Sequence, residues 1–292
     1  MKAVILSADD FGLSPEVNAA VLRAHRDGLL TSAGLMVSER ASAEAASIAR
    51  ECPALDVGLH LVLCRGHSAL APDRAGVLAD VSGRFSESPV LAGMRYFFDR
   101  RLRSALGDEC RAQIERAMEL VGRLSHVDGH LNIHVHPVVA DLLIELCAEY
   151  GVGAIRLPRE PVLTTLRLAH DAAARKFIEA AIFRALSRRT RRRMAERGIR
   201  STDWLFGLHQ TGNLSEPYLL GVIAALREGV TEIYFHPAAD TGATPPPPAA
   251  QRELELLLAP AFGEALRRAR VQRIGFADLA GGSARLSPKT AT

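Results

Sequence analysis

Short β-rich apolar runs alternate with longer segments of helical periodicity along the whole chain. Runs of four to eight apolar residues are typical of buried strands, and apolar positions three and four apart are typical of helices. The predicted strands are 4–7, 32–37, 56–63, 126–130, 154–157, Trp204–Phe206, 232–236 and 273–276. The predicted helices are 18–28, 42–52, 95–124 in one or two pieces, Pro137–Tyr150, 169–197, 215–228 and 251–268, with a long loop at 65–88.

This alternation predicts an α/β fold in which helices cover a parallel sheet. Seven or eight strand–helix units fit a (β/α) barrel of the TIM type, either closed or distorted and incompletely closed. An open doubly wound sheet is the alternative, and no GxGxxG motif follows a predicted strand to favour it. With 292 residues, 48% of them hydrophobic, we expect one barrel domain over residues 1–292.

The net charge of +3 is too small to indicate a nucleic-acid-binding protein, and no nucleic-acid recognition motif is present. The first apolar run is too short for a signal sequence, and no run approaches a membrane span. The four cysteines match no zinc-ribbon spacing and are typical of buried thiols in a reducing compartment. We therefore expect a cytoplasmic protein, with contact at the inner membrane surface left open.

Positive charge is concentrated between Arg167 and Arg200, a segment that contains eleven Lys or Arg residues and only three Asp or Glu residues. Apolar residues recur in the same segment at helical spacing, from Phe177 to Leu186. A basic amphipathic helical insertion at about 167–200 is therefore expected. It is either a solvated helix with a core-facing stripe or a helix that lies on an anionic membrane surface.

Polar side chains follow several predicted strands at their carboxyl ends, where parallel α/β folds carry their working residues. Asp9 and Asp10 end the first strand, His60 lies in the third, and His236 ends a late one. Taken singly, Asp9 and Asp10 could cap a helix, His60 could be a satisfied core histidine, and His236 could stand in an ordinary turn.

The segment from His126 to His136 alternates strictly, with His, Asp, His, Asn, His and His at its even positions. One extended strand would separate its ends by about 33 Å, which is too far for one metal ion. We therefore expect a bend at 129–130, with His134 and His136 in the loop that enters the next helix. Acids and imidazoles at four strand ends favour a metal site, because burying them unpaired is costly.

An aspartate with two histidines is a mixed oxygen and nitrogen ligand set that suits zinc and also magnesium, manganese, cobalt or nickel. A metal ion in such a site acidifies water and polarises a carbonyl oxygen. A free carboxylate nearby can act as a general base, and a further imidazole can protonate a leaving group. These groups together suffice for amide hydrolysis.

Several motifs resemble the YdjC-like (ChbG-type) carbohydrate deacetylases in order and spacing over nearly the whole chain. The matching segments are Ala8-Asp9-Asp10-Phe11-Gly12-Leu13-Ser14, Gly58-Leu59-His60, His126-Val127-Asp128-Gly129-His130 with His134, Arg156-Leu157-Pro158-Arg159-Glu160 and His236-Pro237. The resemblance implies a (β/α) barrel, one divalent metal ion and removal of N-acetyl groups from amino sugars. One departure is that Leu131 and Asn132 stand where many members have histidines.

Carried over by position, the resemblance implies that Asp10, His60 and His130 bind the metal ion. It implies that Asp9 is the general base and that His236 is the acid for the departing amine. Three further residues are expected near the substrate: Arg156, His134 and Asp128. For Arg156 the alternatives are that it orients Asp9 or that it binds substrate.

Within the family, the chain is most similar to members associated with hopanoid biosynthesis. That resemblance implies an N-acetylglucosaminyl hopanoid, a sugar-bearing membrane lipid, as substrate. Deacetylation of soluble chitooligosaccharides, a metal phosphodiesterase on the same barrel and a non-enzymatic glycolipid-binding protein are the alternatives. Either a monomer or a homodimer is compatible with the sequence.

Overall fold

The computed structural model describes residues 1–281, which form a seven-stranded parallel sheet wrapped by helices. Along the sheet the strand order is β4-β3-β2-β1-β6-β5, and β7 also pairs with β1. The strands are β1 Lys2–Phe11, β2 Ser32–Leu35, β3 Asp56–Leu61, β4 Val127–Gly129, β5 Trp204–Phe206, β6 Gly229–Phe235 and β7 Gln272–Arg273.

Twelve α-helices connect and cover these strands in residues 1–281, and a 3₁₀ turn spans His130–Val135. They are α1 Pro15–Arg26, α2 Ser42–Glu51, α3 Pro72–Ala75, α4 Pro89–Phe98, α5 Leu102–Val121, α6 Pro137–Tyr150, α7 Val162–Leu168, α8 Ala173–Glu196, α9 Glu216–Ala225, α10 Pro248–Leu258, α11 Pro260–Arg268 and α12 Phe276–Ala280. None of them is both long and apolar enough to cross a bilayer.

Strand β1 is the centre of the sheet, because it pairs with β2 on one side and with β6 on the other. Its residues are almost all buried, as expected for a parallel strand covered on both faces. Isolated bridges join Val127 to Ile155 and Ala154 to Arg200, so pairing continues from β4 towards the segment that precedes β5. The sheet is therefore curled into an incompletely closed (β/α) barrel, which confirms the predicted fold class.

Several predicted element boundaries are wrong. Residues 154–157 contribute only bridges, and Phe276 begins a short helix instead of ending the last strand. The helix predicted at 251–268 is divided, since Pro260 lacks an N–H and starts α11. The helix predicted at 169–197 is Ala173–Glu196, with the separate helix α7 before it.

Helix α8 carries the basic stretch, and one of its faces forms ion pairs with α6. Arg189 and Arg193 both contact Asp141, at 2.7–2.9 Å, and Arg197 lies 2.6 Å from Glu145. Apolar residues do not form a single stripe on this helix. Phe183 and Leu186 pack against the core, whereas Phe177, Ile178 and Ile182 are exposed. Part of the charge predicted for a membrane surface is thus neutralised within the protein.

Candidate active site

Asp9 and Asp10 occupy consecutive positions at the carboxyl end of β1, yet both carboxylates belong to the same site. In a regular strand, consecutive side chains point to opposite faces. Asp10 has φ 63°, and the pairing of β1 with β2 shifts register between Ala8 and Phe11. Aspartate tolerates this left-handed conformation better than most residues, and such irregularities are common beside active sites.

Asp10, His60 and His130 come together from the ends of β1, β3 and β4. Asp10 Oδ1 lies 3.0 Å from His130 Nδ1 and 3.2 Å from His60 Nε2. One ligand atom from each residue lies within 4.8 Å of the others, close enough to hold one ion. Burial opposes ionisation of Asp10, but His130 and His60 outweigh it and hold the pKa of Asp10 well below its usual value.

His60 is held in one orientation by Asp128, its partner on the neighbouring strand. The two residues are in register between β3 and β4, and His60 Nδ1 lies 2.8 Å from Asp128 Oδ1. Gly34 on β2 leaves room for this pair, because a Cβ there would lie 2.9 Å from Asp128 Oδ1. A carboxylate that fixes the outer nitrogen of a histidine is a regular feature of metal sites.

The remaining nitrogen of His60 provides a test of whether these residues suit a metal ion. His60 Nε2 is buried and has no well-formed hydrogen bond from residues 1–281, although it points towards Asp10. A buried imidazole nitrogen without a well-formed hydrogen bond is costly unless it binds something. A divalent cation held by Asp10, His60 and His130 would satisfy it, so the donor set fits the predicted group.

Arg156 lies beneath the site and joins three carboxylates. Its Nη1 and Nη2 each lie 2.8 Å from an oxygen of Asp9, and Nη1 lies 2.9 Å from Asp128 Oδ2. The guanidinium also contacts Glu232 Oε1 at 2.7 Å and Ser7 Oγ at 3.1 Å. Arg156 is only 1% exposed. This geometry favours the alternative in which Arg156 orients Asp9, because little of it can reach a substrate.

Burial opposes the charge of this guanidinium, but Asp128, Asp9 and Glu232 outweigh it and hold the pKa of Arg156 well above its usual value. Burial likewise opposes ionisation of Asp128, and Arg156 and His60 hold its pKa well below the usual range. For Glu232, burial prevails over Arg156 and raises the pKa. The Arg156 cation therefore stabilises Asp128 as a carboxylate in the interior.

His236 approaches the same site from the end of β6. Its Nε2 lies 3.8 Å from Asp9 Oδ2, beyond hydrogen-bonding distance, and the side chain is 32% exposed. The backbone N–H of His236 donates to Glu253 at 2.5 Å, which fixes the chain where it leaves the strand. His236 thus combines closeness to Asp9 with access from outside.

The bend predicted at 129–130 is present, since β4 ends at Gly129 and the 3₁₀ turn follows. Leu131 and Asn132 both have φ near 55°, which reverses the chain immediately after His130. His134 then returns beneath the site, where its Nε2 donates to the carbonyl oxygen of Arg156 at 3.0 Å. Burial lowers the pKa of His134 to about 4, so this imidazole is neutral.

Of the eight predicted site residues, Asp9, Asp10, His60, His130 and His236 lie close together at the carboxyl ends of the strands. Arg156, His134 and Asp128 are brought beneath them and are buried. Their burial favours positioning roles over the substrate contact that we expected for them. Ser7, Glu232 and Glu253 were missed. A glutamate inside the apolar strand at 232–236 was the one signal that could have revealed Glu232.

The fold and the clustered side chains define a barrel protein with a carboxylate–imidazole site at the carboxyl ends of its strands. The chain belongs to the YdjC-like protein family, whose model matches residues 3–268. It is 36% identical over 157 residues to a carbohydrate deacetylase of Brevibacillus brevis, a match covering 53% of this chain and 59% of that protein. A carbohydrate deacetylase of Thermoanaerobacter pseudethanolicus is 26% identical over 82% of both chains.

A chitooligosaccharide deacetylase of Salmonella schwarzengrund is 30% identical over 58% of this chain and 65% of that protein. A crystal structure from Enterococcus faecalis V583, provisionally described as a cellobiose-phosphate cleavage protein, superposes with a TM-score of 0.74. It covers 96% of this chain and 99% of that one at 24% identity, so it supports the fold alone.

Proposed function

We propose that this protein is a carbohydrate deacetylase that hydrolyses the N-acetyl group of an amino sugar. The observation that carries the proposal is the placement of a buried carboxylate, Asp9, beside the Asp10, His60 and His130 cluster and below the accessible imidazole of His236. The names of the relatives support the same chemistry.

Asp10, His60 and His130 would hold one divalent metal ion, and Asp128 would keep His60 in the orientation for binding it. When bound, such an ion acidifies water and polarises a carbonyl oxygen. One oxygen and two nitrogen ligands are compatible with zinc, magnesium, cobalt or nickel. A second compact group, Asp9, His60 and Asp128, already contains a cation, because Arg156 Nη1 lies between Asp9 and Asp128. This speaks against a two-metal phosphodiesterase.

Asp9 acts as the general base in the proposed reaction. Arg156 binds both of its oxygens, so the carboxylate is fixed in orientation, and each oxygen keeps a lone pair that accepts no other hydrogen bond from residues 1–281. Asp9 accepts a proton from the water that attacks the acetyl carbon. His236 donates a proton to the sugar nitrogen as the C–N bond breaks, and acetate leaves.

We further propose that the sugar is carried by a lipid with a large apolar body, such as the N-acetylglucosaminyl hopanoid. Helix α4 packs against the 3₁₀ turn that carries His130, and it exposes an unusual set of large apolar side chains. They are Val90, Leu91, Met94, Phe97 and Phe98. Leu131, next to His130, is also exposed. Apolar side chains beside a sugar site suit a lipid-linked substrate better than a soluble oligosaccharide.

Soluble chitooligosaccharides are the second candidate, favoured by the name of the Salmonella relative. Contact of 167–200 with a membrane and formation of a homodimer remain predictions. A non-enzymatic glycolipid-binding protein would not require Asp9 or His236 beside the cluster.

The test is acetate release from an N-acetylglucosaminyl lipid and, in parallel, from N,N′-diacetylchitobiose (chitobiose below), before and after chelation and metal add-back. Metal-dependent release from the lipid alone would support the full proposal. Release from chitobiose alone would refute the lipid assignment and keep the deacetylase. No release from either substrate, with metal bound, would refute the deacetylase.

A further inference from the structure

A groove of about 1070 Å³ lies between α8 and the residues around α7 and β5, and none of the predicted site residues lines it. Its wall is largely apolar, with Leu163, Phe177, Ala181 and Trp204 among the lining residues. Leu163 and Phe177 are substantially exposed, so the apolar surface faces solvent. A surface of this size and composition is typical of a site that takes an apolar ligand.

The groove is also strongly basic, because α8 turns one row of arginines towards it. Arg184, Arg188 and Arg191 follow helical spacing on the face opposite to Arg189 and Arg193. The latter two pair with α6. In contrast, Arg184 and Arg188 have no acidic partner within residues 1–281, and Arg191 has only Asp203 at 3.7 Å. The helix therefore presents uncompensated positive charge to the groove.

Two further arginines flank the aromatic ring in the wall. The guanidinium carbons of Arg227 and Arg159 lie 5.0 and 5.8 Å from the centre of Trp204. Nη1 of Arg159 is buried and has no hydrogen-bond partner within residues 1–281. Burial, with Arg191 and Arg184 nearby, lowers the pKa of Arg159, although Asp203 acts in the opposite direction.

The one carboxylate among the lining residues is Glu160, and it does not compensate this charge. Its oxygens accept hydrogen bonds from Thr165 at 2.5 Å, from Tyr218 at 3.2 Å and from the backbone N–H of His209 at 3.0 Å. The carboxylate is therefore used inside the fold, and the arginines need an anion from outside.

We propose that this groove binds one molecule of a lipid with a terminal, net anionic phosphate, such as a phosphatidic acid. Its phosphate lies between Arg184, Arg188 and Arg159, which can donate charge-assisted hydrogen bonds. Its hydrocarbon packs on Leu163, Phe177 and Trp204. Free phosphate would leave the apolar wall uncovered. A nucleic acid would need a longer series of stacking rings than Phe177 and Trp204, which stand among aliphatic residues in this wall. This site is separate from the deacetylase site and does not rest on the proposed activity.

Trp204 makes the test specific, because it is the single tryptophan of the chain. Its fluorescence is followed during titration with dihexanoylphosphatidic acid below the micelle concentration. We expect a saturable change in emission, and binding at least about tenfold weaker for dihexanoylphosphatidylcholine and for inorganic phosphate. Equal binding of the phosphatidylcholine or of inorganic phosphate would overturn the proposal, as would an unchanged emission with all three.

Two variants test the two halves of the ligand. Reversing charge in R184E/R188E is expected to weaken phosphatidic acid binding at least about tenfold, because two charge-assisted contacts are lost. The matched control, R74E/R252E, reverses two exposed arginines outside the groove and should bind normally. The exposed residue Leu163 is tested by the uncharged change Leu163→Asn, which should weaken binding of the lipid while leaving any inorganic phosphate signal unchanged.

Equal losses in R184E/R188E and R74E/R252E would mean that only net charge matters, which overturns a defined site. An eight-nucleotide oligothymidylate completes the set of probes. If it binds more tightly than phosphatidic acid, and R184E/R188E abolishes that binding, the groove is a nucleic-acid site and the lipid proposal fails.

Discussion

Replacement of Asp128 by asparagine should weaken metal binding without touching a metal ligand. Asp128 Oδ1 faces His60 Nδ1 at 2.8 Å, and Oδ2 faces Arg156 Nη1 at 2.9 Å. Asparagine can present an oxygen to only one of these donors, and its NH₂ group must then oppose the other. The Arg156 cation attracts the asparagine oxygen more strongly than His60 does, so the NH₂ group is left opposite His60 Nδ1. We therefore expect His60 to lose its fixed orientation.

The size of the effect follows from the role of such carboxylates in metal sites. Loss of the group that orients a ligand histidine typically lowers metal affinity by about 10- to 100-fold, or roughly 1.4–2.7 kcal/mol. Loss of one charge from a buried ion pair should also reduce the free energy of unfolding, by about 3 kcal/mol. Competition for zinc or cobalt against a chromophoric chelator measures the metal affinity, and urea denaturation measures the free energy of unfolding.

Asp9→Asn is the matched control, because Asp9 also contacts Arg156 but does not contact His60. It should abolish turnover and leave metal affinity within about threefold of the wild type, since no ligand is reoriented. Wild-type metal affinity in Asp128→Asn would refute the orienting role. An equal loss of metal affinity in Asp128→Asn and Asp9→Asn would show that the loss results from the shared contact with Arg156 and not from reorientation of His60.

Three further predictions concern the acid, the packing and the pH dependence. His236→Gln should lower kcat by about 10²- to 10⁴-fold with unchanged metal binding, and normal turnover would remove His236 from the mechanism. Gly58→Ala places a Cβ 2.3 Å from the ring of His126 and should destabilise the protein by about 1–3 kcal/mol in urea. The control Gly107→Ala, with its nearest atom at 3.6 Å, should not. The pKa of about 4 for His134 lies below the unfolded value of about 6.5, so the unfolded chain binds more protons between them. Stability should therefore fall by up to about 3 kcal/mol as pH drops through that window, and His134→Asn, unfolded in urea at pH 7 and 4.5, should lack this part of the decline.

The alternation of strands and helices was readable from the chain because each element has its own hydrophobic period. Strand Trp204–Phe206 and helix Pro137–Tyr150 have the predicted bounds. Errors concentrate where tertiary contacts decide the local structure. Phe276, for example, begins a helix and stacks on the ring of His126 at 3.8 Å, and no local pattern records that contact.

Hydrophobic periodicity along the chain was enough to predict the parallel α/β architecture and the polar side chains at the strand ends. The sequence also predicted that acidic and imidazole side chains gather at one edge of the sheet, where the carboxyl ends of parallel strands meet. The specific set of Asp10, His60 and His130 was implied by the family resemblance. The left-handed backbone of Asp10 could not be predicted from the sequence. It allows the side chains of two adjacent aspartates, Asp9 and Asp10, to reach the same site.

The tertiary structure likewise decided the burial of Arg156 among Asp9, Asp128 and Glu232, and the division of the α8 arginines into a paired and an unpaired face. The physical reason is the same in both cases. Periodicity along the chain records which face of an element is apolar, but the partner of a charge is set by which elements pack together, and that information is not local.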